Sequence, residues 1–159
     1  GIGKFADILF YVDKPKESAS KVEGVEAVAT SENSAQVKTQ EKVDIAQLLA
    51  MGDLNHGQKV FKKCSACHMI ASDGKNMIGP NLWGVIGRQA GVIGDYKYSK
   101  AMIAYGKEWT FEEMNSYLIK PQAYIKGTKM AFAGLRKEKD RASVILYMNS
   151  KSSNPKTIP

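Results

Sequence analysis

Apolar positions recur at spacings of three and four through the second half of the chain, separated by polar and glycine-rich stretches. Gly57, Val60, Phe61 and Cys64 share one face of a predicted helix that Asp53 is placed to cap. A glycine on such a face suggests close approach by another helix, because glycine in a helix costs about 1 kcal/mol relative to alanine. Glycines from Gly74 to Gly94 punctuate a stretch without regular period, which predicts an irregular loop wrapped around something. Ser99 to Tyr105 predicts a short helix ended by Gly106. Thr110-Phe-Glu-Glu113 reads as a capping box opening a helix with apolar Phe111, Met114, Tyr117 and Leu118, and Pro121 stops it. Glu138 and Asp140 mark the first turn of a final helix, with Ala142, Ile145, Leu146 and Asn149 on one face. Neither an alternating strand pattern nor an internal repeat is present, so the expected class is all-α.

The first fifty residues read differently. Residues 1–13 are mostly apolar but too short to cross a bilayer alone, which takes about twenty residues. Residues 14–43 contain no aromatic residue and are rich in Glu, Lys, Ser, Ala and Val. A segment of that composition buries little surface, which predicts a flexible tether. The expected organisation is an apolar segment over 1–13, a flexible linker over 14–50, a compact domain over 51–153 that begins near Asp44 to Asp53, and a tail over 154–159.

The candidate chemistry lies in Cys64-Ser65-Ala66-Cys67-His68. Two thiols three residues apart, followed at once by histidine, form the pattern of covalent haem attachment: a thioether from each cysteine, with the imidazole beneath the iron. A dithiol redox site would need a βαβ context, and no strand precedes Cys64. A structural zinc site would need four ligands, and the chain has two cysteines and two histidines in all. Zinc would therefore have to recruit His56. That residue lies twelve positions before His68 and roughly 18 Å away along a helix, so it also cannot reach the same iron. His56 reads as an exposed residue at a helix start.

Composition agrees with a haem domain. Both cysteines fall in the motif, so no structural disulfide is available, and a buried porphyrin would supply the missing core. Residues 1–50 carry six lysines against eight acids; residues 51–159 carry seventeen basic residues against eight acids. The basic character belongs to the haem domain alone. A basic surface suits acidic protein partners or nucleic acid; a lysine-rimmed haem edge accounts for it without nucleic acid.

Four segments then identify a resemblance: Gly57-Gln-Lys-Val-Phe-Lys-Lys-Cys-Ser-Ala-Cys-His68, Gly79-Pro-Asn-Leu-Trp-Gly84, Tyr124-Ile-Lys-Gly-Thr-Lys-Met-Ala-Phe-Ala-Gly134 and Asp140-Arg-Ala-Ser-Val-Ile-Leu-Tyr147. Together they resemble the class I cytochromes c of the mitochondrial and α-proteobacterial type across about a hundred residues. The resemblance implies three main helices, with short helices and loops, around one covalent haem c. In that fold the first and last helices cross, at positions matched by Gly57 and Tyr147.

What the resemblance implies about the site can be given residue by residue. Cys64 and Cys67 carry the haem and His68 is the proximal ligand. Pro80 supplies the carbonyl that accepts from the histidine ring. Arg88, Tyr98 and Trp109 match donors to the haem propionates. Seven methionines compete for the sixth position; Met102, Met114 and Met148 lie in helical patterns that suggest core packing. The family's distal methionine maps onto Met130, in a loop flanked by Gly127 and Gly134, with Tyr117 and Thr128 around it. Lys126 stands where a proline often precedes Gly127, and its loss is expected to soften the loop. Met102 stands where many relatives have asparagine. Lys62, Lys63, Lys129 and Lys137 would ring the exposed haem edge, with Lys75 and Lys126 as additions.

The implied function is one-electron transfer rather than enzymatic turnover. Electrons would pass from the ubiquinol–cytochrome c reductase to a haem–copper terminal oxidase, with no small-molecule substrate. A haem c catalyst or gas sensor with a labile sixth ligand is the alternative. Ala6-Asp-Ile-Leu-Phe10 followed by Lys14-Pro15 looks like the segment leaving the membrane in anchored α-proteobacterial relatives. That likeness implies an upstream N-terminal anchor and a domain on the periplasmic side of the bacterial inner membrane. The mitochondrial intermembrane space is the other compartment in which this type works.

Overall fold

In the computed structural model, residues 44–159 are described. The apolar segment 1–13 and the linker up to residue 43 lie outside them. The described residues form six helices in chain order: α1 (Ile45–Ala50), α2 (Leu54–Phe61), α3 (Lys100–Tyr105), α4 (Phe111–Ile119), α5 (Pro121–Tyr124) and α6 (Glu138–Ser150). The β pairing among them is a single bridge between Gln89 and Glu108, so the all-α expectation holds. No described helix is long and apolar enough to cross a membrane.

The crossing of α2 and α6 is the principal helix–helix packing. Its geometry follows from Gly57: a β-carbon there would sit 2.1 Å from the Ser143 carbonyl oxygen. Only glycine lets the two backbones approach this closely. The Phe61 and Tyr147 rings flank the contact at 5.4 Å, and Ser143, Val144 and Ile145 are fully buried behind it. Asp53 caps α2 as expected, accepting from the His56 amide at 2.7 Å. Its own amide donates to the Ser143 hydroxyl at 3.0 Å.

Four details differ from the sequence reading. The linker expected over 14–50 does not hold at 44–50, because Asp44 caps α1 and Leu48 and Leu49 are buried, with α1 packed against α6. His56 is not a free surface residue: its Nε2 lies 2.7 Å from Asp140 Oδ1, joining α2 to the first turn of α6. The capping box at Thr110 is half formed. Thr110 Oγ1 accepts from the Glu113 amide, but the Thr110 amide donates to Glu108 O and the Glu113 side chain turns elsewhere. The tail over 154–159 is fastened at one point, where the Asn149 amide group both donates to and accepts from the Lys156 backbone.

The remaining punctuation behaves as read. Ser99 caps α3, which ends at Gly106 with φ 51°. The stretch 74–94 is irregular, held by Asn81, whose side chain donates to the Ala71 and Gly74 carbonyls. Pro121 ends the run of α4 and opens α5 at its first position, where a missing N–H costs nothing. These loops and the faces of α3, α4 and α6 surround one cavity.

Candidate functional site

The cavity encloses about 370 Å³ and is lined mainly by apolar side chains, among them Leu82, Val85, Leu118 and Val144. Cys64, Cys67 and His68 all face it. Helix α2 ends at Phe61, so the two cysteines stand on successive turns rather than on the helix; the amides of Cys67 and His68 both donate to the Cys64 carbonyl. This tight winding presents both sulfurs and the imidazole to the same space.

His68 is held at its far nitrogen. Its Nδ1 lies 2.8 Å from the Pro80 carbonyl oxygen, which can only accept, so Nδ1 carries the proton and Nε2 keeps its lone pair. Burial lowers the imidazole pKa, and the Pro80 bond only partly offsets it. The ring is thereby neutral and oriented to bind a metal, with a carbonyl raising its basicity. Gly79 makes room for it: a β-carbon there would lie 2.2 Å from His68 Cε1.

The thiols do not suit the competing chemistries. Burial pushes Cys64 up to about 11, with Lys63 pulling the other way, whereas dithiol redox sites need a lowered value. No group of three or more His, Cys, Asp or Glu among the described residues could hold a metal ion. Two thiols facing an apolar cavity suit thioether bonds to a porphyrin edge.

Arg88, Tyr98 and Trp109 come together on the cavity wall. Arg88 donates to the Trp83 and Asn81 carbonyls at 2.8 and 2.9 Å, yet it has no carboxylate partner among the described residues. Burial pulls its pKa down, so a half-buried guanidinium here calls for a negative group in the cavity. A haem propionate meets that need. The donor set and the apolar walls both fit a haem.

Four methionines reach the cavity: Met102, Met114, Met130 and Met148. The Tyr117 hydroxyl lies 3.3 Å from both Met130 Sδ and Thr128 Oγ1. The only consistent arrangement has Thr128 donating to Tyr117 and Tyr117 donating to the sulfur, since each hydroxyl carries one proton. The Met130 amide donates back to Thr128 Oγ1 at 3.3 Å. Met102, Met114 and Met148 are buried, as their helical pattern suggested.

The four rim lysines do not sit alike. Lys63 and Lys129 line the cavity mouth; Lys62 and Lys137 are exposed but not part of it. Lys129 Nζ donates to the Lys97 carbonyl at 2.8 Å, and Lys63 Nζ lies 4.0 Å from Asp140. Ile78, 77% exposed, also lies at this mouth and gives it an apolar element the charge reading missed. Its signal in sequence is an isoleucine within a polar loop, Lys75-Asn-Met-Ile78.

A family model for cytochrome c matches residues 54–152. A Rickettsia prowazekii protein described as a cytochrome c homolog is 43% identical over 122 residues, covering 77% of this chain and 70% of that protein. A cytochrome c homolog of Bradyrhizobium diazoefficiens is 41% identical over 116 residues, covering 72% of this chain and 63% of that protein. A Rhodobacter capsulatus protein described as cytochrome c-type cyt cy is 45% identical over 109 residues, covering 68% of this chain and 54% of that protein.

Proposed function

The chain belongs to the cytochrome c family of electron carriers, with covalently bound haem c, and from that premise we propose that it shuttles single electrons with His68 and Met130 as axial ligands. The haem supplies the one-electron chemistry. The chain's residues fix the iron's coordination, exclude water and set the approach of partners. The observation that carries this reading is the pairing of two oriented donors on one cavity: His68 held through Pro80, and Met130 held through Tyr117. With His68 and Met130 both holding the iron, no position would be open for substrate. A thioether ligand stabilises ferrous iron and raises the potential, which suits a carrier.

The apolar walls would keep water from a bound haem, so little solvent would reorganise when its charge changes. Lys63 and Lys129 at the mouth would steer acidic partners toward the haem edge, and the exposed Ile78 would offer a dry contact there. We assign the ubiquinol–cytochrome c reductase as electron donor and a haem–copper terminal oxidase as acceptor, on the periplasmic side of the bacterial inner membrane. The apolar segment 1–13 and the polar stretch up to residue 43 would tether the domain to that surface. Such a tether would hold the domain near membrane partners at high effective concentration.

Carbon monoxide binding to the ferrous holoprotein tests the assignment. A carrier with Met130 in place binds the gas slowly and weakly. Fast, tight binding would instead support a haem c catalyst or gas sensor with a labile sixth ligand.

A further inference from the structure

The loop that presents Met130 departs from α5 and returns to the end of α4. Its return is firmly fixed. The Leu135 amide donates to the Leu118 carbonyl at 2.7 Å, and Gly134, at φ 95°, lies so close to the end of α4 that a β-carbon would meet Ile119 O at 2.0 Å. Its departure is built differently. Helix α5 has only four residues, no side-chain bond at its cap, and leads through Lys126 and Gly127 at φ 90° into the loop. Lysine at 126 leaves the backbone free where a proline ring would fix it.

Gln122 of α5 donates to the Met130 carbonyl at 3.3 Å and Ile125 is buried, and one carboxylate adds a tie from outside the loop. The Tyr124 hydroxyl, at the end of α5, donates to Glu113 Oε2 at 2.6 Å. The Tyr105 hydroxyl, at the end of α3, donates to the same oxygen. Lys107 Nζ reaches the other oxygen at 3.2 Å. Burial alone would push the Glu113 carboxyl up, but the two hydroxyls and Lys107 hold it below its ordinary value, so these bonds are charge-assisted. Tyr124 is 39% exposed, so burial is not what fixes it. Its ring stands 6.1 Å from Tyr105 and 6.4 Å from Tyr117, whose hydroxyl holds the Met130 sulfur.

We propose that Glu113 is a positioning residue for the Met130 thioether, acting through Tyr124 and Tyr105 to fix where the loop departs. The inference rests on Met130 as the axial ligand. Glu113 touches neither the iron nor the sulfur. It restricts the loop to the sulfur-in arrangement and so lowers the population in which the sixth position is open.

Imidazole, a small ligand that competes with the thioether, measures that population in the ferric holoprotein. Apparent affinity scales with the open fraction. Glu113→Ala should bind imidazole about tenfold more tightly than the wild type while keeping its near-infrared sulfur–iron band in the absence of imidazole. Tyr124→Phe should shift affinity the same way by less, and Glu113→Gln, which keeps an acceptor oxygen, should recover part of the wild-type value. Asp53→Ala, which removes the α2 cap far from the clamp, should lower thermal stability without changing imidazole affinity. The proposal fails if Glu113→Ala binds imidazole within about twofold of the wild type, or if Asp53→Ala shifts affinity as much. Met130→Ala separates the two readings: if the wild type binds imidazole as readily as that variant, the ligation assignment itself falls.

Discussion

The imidazole of His68 occupies the space that a side chain at residue 79 would need. A β-carbon on Gly79 would lie 2.2 Å from Cε1, 2.6 Å from Nδ1 and 2.7 Å from Nε2 of that ring. Glycine is required here by the imidazole's position rather than by an unusual backbone angle. The same dipeptide supplies Pro80, whose carbonyl fixes the ring, so two adjacent residues set both the room and the orientation of the His68 imidazole.

Gly79→Ala therefore forces the imidazole out of line. Overpacking of this kind costs about 1–3 kcal/mol. The expected result is a lowered thermal midpoint together with a loss of low-spin ferric absorption, measured on the same haem-loaded sample. A variant with normal spectra and stability would show that the ring moves aside without cost.

Acid titration checks the clamp at Glu113 by a different route. Burial raises this carboxyl, but hydrogen bonds from Tyr105, Tyr124 and Lys107 bring it below the ordinary value of 4.5. A carboxylate with a depressed folded value contributes stability that is complete above the unfolded value and is lost as pH falls through the folded one. The thermal midpoint of the wild type should thus drop more steeply than that of Glu113→Gln as pH falls from about 6 to about 3, the two curves converging at the acid end. Parallel curves would mean that the carboxylate gains nothing on folding.

The uneven placement of the lysines predicts uneven kinetics. Lys129→Glu, at the cavity mouth, should slow electron transfer to a purified terminal oxidase by roughly three- to tenfold at low ionic strength, with the difference fading as salt is added. Lys137→Glu, away from the mouth, should change the rate much less. Stopped-flow oxidation of the domain without its N-terminal segment reads both. Equal effects would leave the mouth with no special role and reduce the lysines to general steering.

Much of the site was legible because its chemistry is local in sequence. Cys64 to His68 is contiguous, Pro80 lies within one loop, and Asp53, Ser99 and Thr110 cap helices through amides three residues on. Gly57 announced a helix crossing without naming its partner. The clamp was not legible: Glu113 stood in a capping pattern, and nothing local says that its side chain would leave Thr110 for two tyrosines on other helices. The tie between His56 and Asp140 joins residues at opposite ends of the domain. Helix α1 was missed because its few apolar residues follow a long polar stretch, and their burial depends on α6. Lys62 and Lys63 are adjacent, and only the turn after α2 decides which one faces the cavity mouth.

Met130 carries the central claim, and its removal tests it most directly. A thioether ligand favours reduced iron, so its loss lowers the potential. The measurement is the near-infrared spectrum of the ferric holoprotein, with the reduction potential taken on the same preparation, for the wild type and Met130→Ala. The wild type should show a sulfur–iron band that is absent in the variant, and the variant's potential should be lower. A band and potential unchanged by the substitution would assign the sixth position to another residue and contradict the account.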